Sequence, residues 1–260
     1  MERRKITPDL AQFPSVFHPL LRHDTYDSSC SSAARVFFVD TDGGYYLKTA
    51  KKGTLQREAE MTRLFHRHHL AAEVLSYESL EADWLLTRAL PGEDCLDSLY
   101  RSDPKRLSAL LGQLLRQLHD TPICEPAVPN RSEEVLHTAK AHYLAKQYDE
   151  SLFPDNWGYA CPEDAWQVIA SRGWQLNSEV LLHGDYCMPN ILLNNWDFSG
   201  FIDLDAAGMG DRHMDLFWGI WSLQFNLKTD QYRDRFLDAY GRDVFEEEKL
   251  QLIAAIEVFL

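Results

Sequence analysis

The sequence predicts an α+β fold, with strands concentrated in residues 1–90 and a mainly helical remainder in residues 91–260. Three observations carry this. Short apolar runs at 36–39 and 45–49 flank Asp40-Thr41-Asp42-Gly43-Gly44, a strong hairpin signal. Further on, Leu107, Leu110, Leu111, Leu114, Leu115 and Leu118 recur at the i, i+3, i+4 spacing of a buried helix face. A strand, loop and hairpin over residues 180–204 then interrupt the helical part. At 260 residues the chain can bury a large core.

Taken in order, Thr7 is an N-cap candidate and Pro8 a first-turn residue, so a short helix is expected to open there. The Ser-rich stretch 27–34 joins two expected strands. Residues 56–69 read as a helix with Met61, Leu64 and Phe65 on one face. Runs at 74–77 and 84–87 complete a small antiparallel sheet, and Arg88-Ala89-Leu90-Pro91-Gly92 forms a linker. Asp103 and Pro104 start the leucine-striped helix to His119, and a second helix is expected over 132–148. Residues 150–162 hold aromatics, Pro and Gly with no period. Asp211 is expected to cap an aromatic helix over 212–225, and two more helices over 229–240 and 246–259 end the fold.

The chemistry concentrates in residues 180–215. A strand at 180–182 leads into a polar loop, His183 to Asn190, and the hairpin that follows has strands at 191–193 and 198–204 about a turn at 194–197. The loop carries Asp185 and Asn190, and the second hairpin strand is expected to deliver Asp203 and Asp205 beside them. Hard oxygen ligands together with a candidate base suit Mg²⁺ and phosphate chemistry, because Mg²⁺ takes one or two carboxylates plus substrate phosphates rather than a closed cage. The bland alternative is a satisfied polar hairpin that binds no metal. His66, His68 and His69 sit at a helix end, where the macrodipole favours cations, and their spacing is not that of a metal site.

Protein kinases use such parts: a loop Asp for the hydroxyl proton, a loop Asn and a later Asp for Mg²⁺. Here HGDxxxxN (183–190) is followed by SGFIDLD (199–205). The chain therefore resembles the aminoglycoside phosphotransferase and choline kinase-like superfamily, small-molecule kinases with a protein kinase-like two-lobe fold. It looks most like the aminoglycoside 3′-phosphotransferases, through SGFID, GxxDRxxD at 208–215 and the ending IEVFL.

The resemblance implies an N-terminal nucleotide-binding lobe, 1–90, and a C-terminal catalytic and acceptor-binding lobe, 91–260. It implies ATP, or GTP, as phosphoryl donor with Mg²⁺. Asp185 would be the catalytic base, and Asn190 and Asp203 the metal ligands. Lys48 of YYLK would hold the α- and β-phosphates, oriented by Glu58. Ser32 would lie near the phosphates, since small residues let backbone N–H groups approach them. The 88–92 linker would meet the adenine edge. Asp215 would brace the catalytic loop, with His183 as a buttress. Asp155, Asp205, Glu257 and Phe259 would contact the acceptor.

The acceptor positions depart from the family pattern. IDLDAA stands where IDxGR is usual, leaving Ala206 in place of the Arg, and two further contacts on the following helix appear as Trp221 and Phe225. The expected function is transfer of the γ-phosphoryl to a hydroxyl of an aminoglycoside-type antibiotic. A metabolic kinase for another small cationic or hydroxylated acceptor and a nucleotide-binding pseudokinase are the alternatives. Trp218 and Trp221 read as core packing or as a cation–π wall.

Composition narrows the partners. The net charge of −14 argues against nucleic acid; it suits a small cationic acceptor and equally reads as plain solubility. Five cysteines without a CxxC pair point to reduced thiols, and no run has the length of a membrane span. The first residues lack the apolar core of a secretory signal. A cytoplasmic monomer or homodimer is expected.

Overall fold

The computed structural model describes residues 3–125, 128–148 and 158–260. The chain forms two compact units, Met1–Asp97 with Pro189–Asp205, and Ser98–Met188 with Ala206–Leu260.

In the first unit, β1 (Arg4–Ile6), β2 (Asp24–Asp27), β3 (Ala34–Asp40), β4 (Tyr45–Lys51), β5 (Val74–Ser79) and β6 (Ala82–Arg88) make one antiparallel sheet in the order β1-β2-β3-β4-β6-β5. Period-2 alternation assigns its faces. Phe37, Val39, Leu47 and Trp84 pack with Phe13, Phe17 and Leu21, while Leu85 packs with Leu55 and Ala59 of the helical side. Helix α1 (Gln56–Arg67) begins where the Leu55 N–H donates to the buried Asp83 carboxylate at 3.0 Å. Strand β1 replaces the expected helix opening. A 3-10 turn, Leu10–Gln12, comes later and is capped by Asp9, whose Oδ1 accepts the Ala11 N–H at 3.2 Å, so Asp9 and not Thr7 is the cap.

The first unit also holds a three-stranded sheet of β7 (Glu93–Asp94), β9 (Ile191–Asn194) and β10 (Asp197–Phe201), in the order β10-β9-β7. The hairpin turns at Asn195 (φ 52°) and Trp196 (φ 74°), both left-handed as a two-residue mirror-image turn requires. Strand β10 stops at Phe201, three residues short of the expected end.

In the second unit, α2 (Ser98–Arg101) precedes α3 (Pro104–His119), which starts as expected: Asp103 Oδ1 accepts the Arg106 N–H at 3.1 Å and Pro104 opens the first turn. Helices α4 (Arg131–Ala145) and α5 (Pro162–Arg172) follow, the latter without a counterpart in the sequence expectation. Strand β8 (Val180–Leu182) pairs antiparallel with β11 (Gly208–Gly210), and α6 (His213–Leu227), α7 (Arg233–Tyr240) and α8 (Glu247–Glu257) complete the unit. Val135, Ala139, Ile169, Leu182, Met214 and Ile253 share its core. At the crossing of α3 and α7, a Cβ on Gly112 would lie 2.3 Å from the Phe236 carbonyl oxygen, so only glycine admits this approach. Among the described residues, no helix is long and apolar enough to cross a membrane.

Candidate active site

In the first unit, Lys48 is positioned by sheet register. Leu47 points into the core with no exposure, so its neighbour Lys48 emerges on the opposite face, paired with Val36 and Leu85. Its Nζ donates to Glu58 Oε1 at 2.9 Å and to Asp203 Oδ1 at 2.7 Å. Glu58 comes from the first turn of α1, and Asp203 lies two residues beyond β10 with φ 57°, an uncommon conformation for a non-glycine residue. Burial opposes the Lys48 charge, but Asp203 and then Glu58 outweigh it and hold the ammonium's pKa above its ordinary value. Burial also pushes the Glu58 pKa up; Lys48 opposes this and Asp203 reinforces it. The two directions agree because one cation faces two carboxylates, which leaves the cluster net negative.

This cluster closes the charged end of a pocket whose other walls include Val36, Leu85, Leu192 and Ile202, with Tyr46 and Thr87. An apolar slot ending in a fixed ammonium suits a flat ring with a phosphate tail. Ser28, which is buried, and Cys30, which is exposed, also line it, whereas Ser32 is exposed and is not among the lining residues. The turn that carries them is self-supported, since Ser29 Oγ accepts the Val36 N–H at 2.9 Å and Asp27 Oδ1 accepts the Ser29 N–H at 3.0 Å. Leu90 of the linker lines the pocket, and the Ala89 N–H is already taken by the Gly44 carbonyl at 2.9 Å.

Asn190 is buried, and its carbonyl accepts the Ile202 N–H at 3.0 Å, tying it to the segment that bears Asp203. Asp205 is exposed and adds negative charge near Glu58. Among the described residues, no three His, Cys, Asp or Glu side chains gather as a metal cage. The donor set here is a partly exposed carboxylate at Asp203 and an amide at Asn190, hard oxygens that fit Mg²⁺ sharing its shell with phosphates.

In the second unit, Asp185 rides on a loop fixed by backbone hydrogen bonds. The buried Asp215 carboxylate accepts the His183 N–H at 2.7 Å and the Gly184 N–H at 2.8 Å, so it braces the loop as expected. Gly184 has φ 86°, and a Cβ there would meet the Ala206 carbonyl oxygen at 2.0 Å, which explains the Gly of HGD. The Asp185 N–H donates to His183 Nδ1 at 3.3 Å, the buttress assigned to that ring. Ser222 Oγ accepts the Met188 N–H at 2.9 Å, and the Tyr186 hydroxyl donates to the Leu111 carbonyl at 2.7 Å.

Near Asp185 stands Glu257, whose Oε1 accepts the Trp218 Nε1–H at 3.1 Å. Burial lifts its pKa to about 7, against the Trp218 hydrogen bond and helped by the Asp185 charge. Sequence reasoning found Glu257 but not this partner, because nothing in the spacing links α6 to α8. Phe259 is a core ring, edge-on to Tyr143 at 5.6 Å and to Tyr148 at 5.5 Å. Asp155 lies outside the described residues. Trp221 and Phe225 are exposed and stacked at 4.8 Å, with Lys228 Nζ 4.2 Å from the Phe225 ring centre, while Trp218 meets Trp221 edge-on. Asp211 does accept the His213 N–H at 3.0 Å, but one position before the formal cap, and it also holds Lys249 at 3.1 Å.

The chain is 44% identical over 259 residues to a "Probable aminoglycoside 3'-phosphotransferase" of Lactococcus lactis, covering 98% of each chain. It is 33% identical over 178 residues to an "Aminoglycoside 3'-phosphotransferase" of Niallia circulans, covering 68% of this chain and 67% of that one. In fold it is similar to an aminoglycoside 3'-phosphotransferase of type VIII, with a TM-score of 0.72, 23% identity and coverage of 90% and 92%. It is also similar to an aminoglycoside phosphotransferase from Streptomyces rimosus solved with ADP and streptomycin, with a TM-score of 0.71, 20% identity and coverage of 89% and 91%. The profile of the phosphotransferase enzyme family matches residues 27–253, and the chain belongs to that family.

Proposed function

We propose that this chain is a nucleotide-dependent kinase that moves the γ-phosphoryl of ATP to a hydroxyl of an aminoglycoside-type acceptor. The observation that carries it is the Lys48–Glu58–Asp203 cluster at the charged end of an apolar slot. The printed names of the relatives support the acceptor class.

In this reading the first unit, with the 1–90 lobe as its bulk, binds the nucleotide, and the 91–260 lobe serves acceptor and catalysis. The slot takes the base, and Lys48 binds the α- and β-phosphates in the orientation Glu58 sets. Asn190 and Asp203 would hold Mg²⁺, which when bound neutralises charge on the phosphate oxygens. The Ser-rich turn offers backbone N–H groups to the phosphates around Ser32, because the Ser28 N–H is taken by the Val36 carbonyl at 2.9 Å and the Ser29 N–H by Asp27 at 3.0 Å. Asp185 accepts the proton of the acceptor hydroxyl as its oxygen forms the new O–P bond. The bond from the γ-phosphorus to the bridging oxygen breaks, and ADP leaves with that electron pair. Glu257 and Asp205 favour an acceptor carrying ammonium groups, in keeping with the net charge of −14.

The test is ADP release with ATP and Mg²⁺ against kanamycin- and neomycin-type aminoglycosides, choline and simple sugars. Saturable turnover with an aminoglycoside, lost by about 100- to 10,000-fold in Asp185→Ala, is the expected result. Turnover on another acceptor alone would make this a metabolic kinase, as the aromatic Trp221 and Phe225 positions would allow. Nucleotide binding without any turnover would defeat the kinase reading.

A further inference from the structure

Among the buried titratable groups of the second unit that phosphoryl transfer as described leaves unused are His119 and Tyr240. His119 is the last residue of α3 and Tyr240 the last of α7, and the glycine contact at 112 draws these helices together. His119 Nε2 lies 3.2 Å from Asp215 Oδ2, and its Nδ1 lies 2.8 Å from the Tyr240 hydroxyl. Arg212 Nη1 donates to that hydroxyl at 3.2 Å.

The chemistry of the partners assigns each proton. A carboxylate oxygen only accepts, so Nε2 carries the imidazole proton. Burial lowers the His119 pKa against the opposing Asp215, which keeps the ring neutral, and Nδ1 is then an acceptor for the Tyr240 O–H. Every bond runs one way, from Arg212 to Tyr240 to His119 to Asp215. Asp215 thus receives three donors, and the two others are the His183 and Gly184 amides at the base of the Asp185 loop. The two amides grip separate oxygens of the carboxylate, and the imidazole adds a third donor on Oδ2, the oxygen that accepts the His183 N–H, so its removal loosens that side of the bracket.

We propose that His119 and Tyr240 are positioning residues for phosphoryl transfer, setting the Asp185 loop through the orientation of Asp215. The proposal rests on the role of Asp185 given above. It is tested with His119→Phe, His119→Gln and Tyr240→Phe in the full chain, comparing kcat, the KM for ATP and the Gly184 amide resonance. His119→Phe keeps the volume but removes the donor, and kcat falls about 10- to 100-fold with the KM for ATP nearly unchanged, as expected for a misplaced reacting group. His119→Gln, whose side-chain N–H reaches about the place of Nε2, recovers most of the rate and returns the Gly184 resonance toward wild type. Tyr240→Phe, which frees the ring tautomer, falls between them and also serves if His119→Phe does not fold. Equal losses in the Phe and Gln variants, or an unmoved Gly184 resonance in His119→Phe and Tyr240→Phe, overturn the proposal. If the wild type phosphorylates no acceptor, the kinase reading fails alone, and the displaced and restored Gly184 resonance still decides the positioning.

Discussion

Two carboxylates, one in each unit, are used in opposite ways. Asp203 is 45% exposed, sits in a left-handed conformation and shares one ammonium with a second carboxylate. Asp215 has no exposure, and its hydrogen-bond donors among the described residues are neutral: two backbone amides and an imidazole. The first arrangement leaves negative charge unbalanced at a surface, a condition a metal ion can relieve. The second uses a carboxylate as a spacer that sets the course of the backbone. Charge left over marks the place for ligand chemistry, and charge fully absorbed marks scaffold.

That contrast can be broken by experiment. The largest effect is expected at Lys48. Lys48→Met leaves Glu58 and Asp203 without their cation, and kcat/KM for ATP should fall about 100- to 1,000-fold. A loss under tenfold would mean that the cluster serves the fold alone. Glu257 comes next. Its folded pKa of about 7 lies above the ordinary carboxyl value of 4.5, so the stability it contributes is complete below the lower value and is lost as pH rises through the higher. Unfolding in urea should show a decline on the order of 3 kcal/mol between these limits that Glu257→Gln removes. An unchanged decline in that variant would assign it to other groups.

Asp215→Asn is expected to cost about 1–3 kcal/mol in the same measurement, because one side of an amide would present N–H to N–H. A neutral result would show that the loop needs no acceptor there. The smallest effect belongs to the exposed Trp221–Phe225 stack. Trp221→Ala should change stability by no more than about 0.5 kcal/mol, as surface substitutions do. It should also raise the KM for a cationic acceptor several-fold if the aromatic surface contacts that acceptor. An unaltered KM would return the pair to simple packing.

Much of this contrast could be read from the chain, but unevenly. Lys48 was legible through the resemblance, by its place in YYLK, since a lone Lys on a strand reads as solvent-facing; Asp185 and Asn190 were legible through their spacing in HGDxxxxN. The capping of α3 by Asp103 and the expected hairpins follow from local chemistry. Strand β1 was not legible: its three residues, Arg4–Ile6, carry no alternating apolar pattern, and pairing with β2 decides them. The left-handed backbone at Asp203 also escaped, since tertiary hydrogen bonds and not propensity hold an aspartate there. His119 read as the end of a leucine stripe. Its role depends on Tyr240 and Asp215, which are 121 and 96 residues away. Phe259 matched a terminal pattern, yet its ring packs into the core with Tyr143 and Tyr148.

The first unit closes only when the chain returns to it with residues 189–205. Lys48 and Asp203 are 155 residues apart. During synthesis the sheet can form once residue 97 has emerged, but the β9–β10 hairpin and the second carboxylate for Lys48 arrive later, after roughly 5 to 20 s of further translation. Until then β7 has no partner strand, and the apolar wall of the slot lacks Leu192 and Ile202. The nascent chain therefore passes through an interval in which its nucleotide pocket is unfinished, and a ligand for that pocket could act as a folding aid only after residue 205 has emerged from the ribosome.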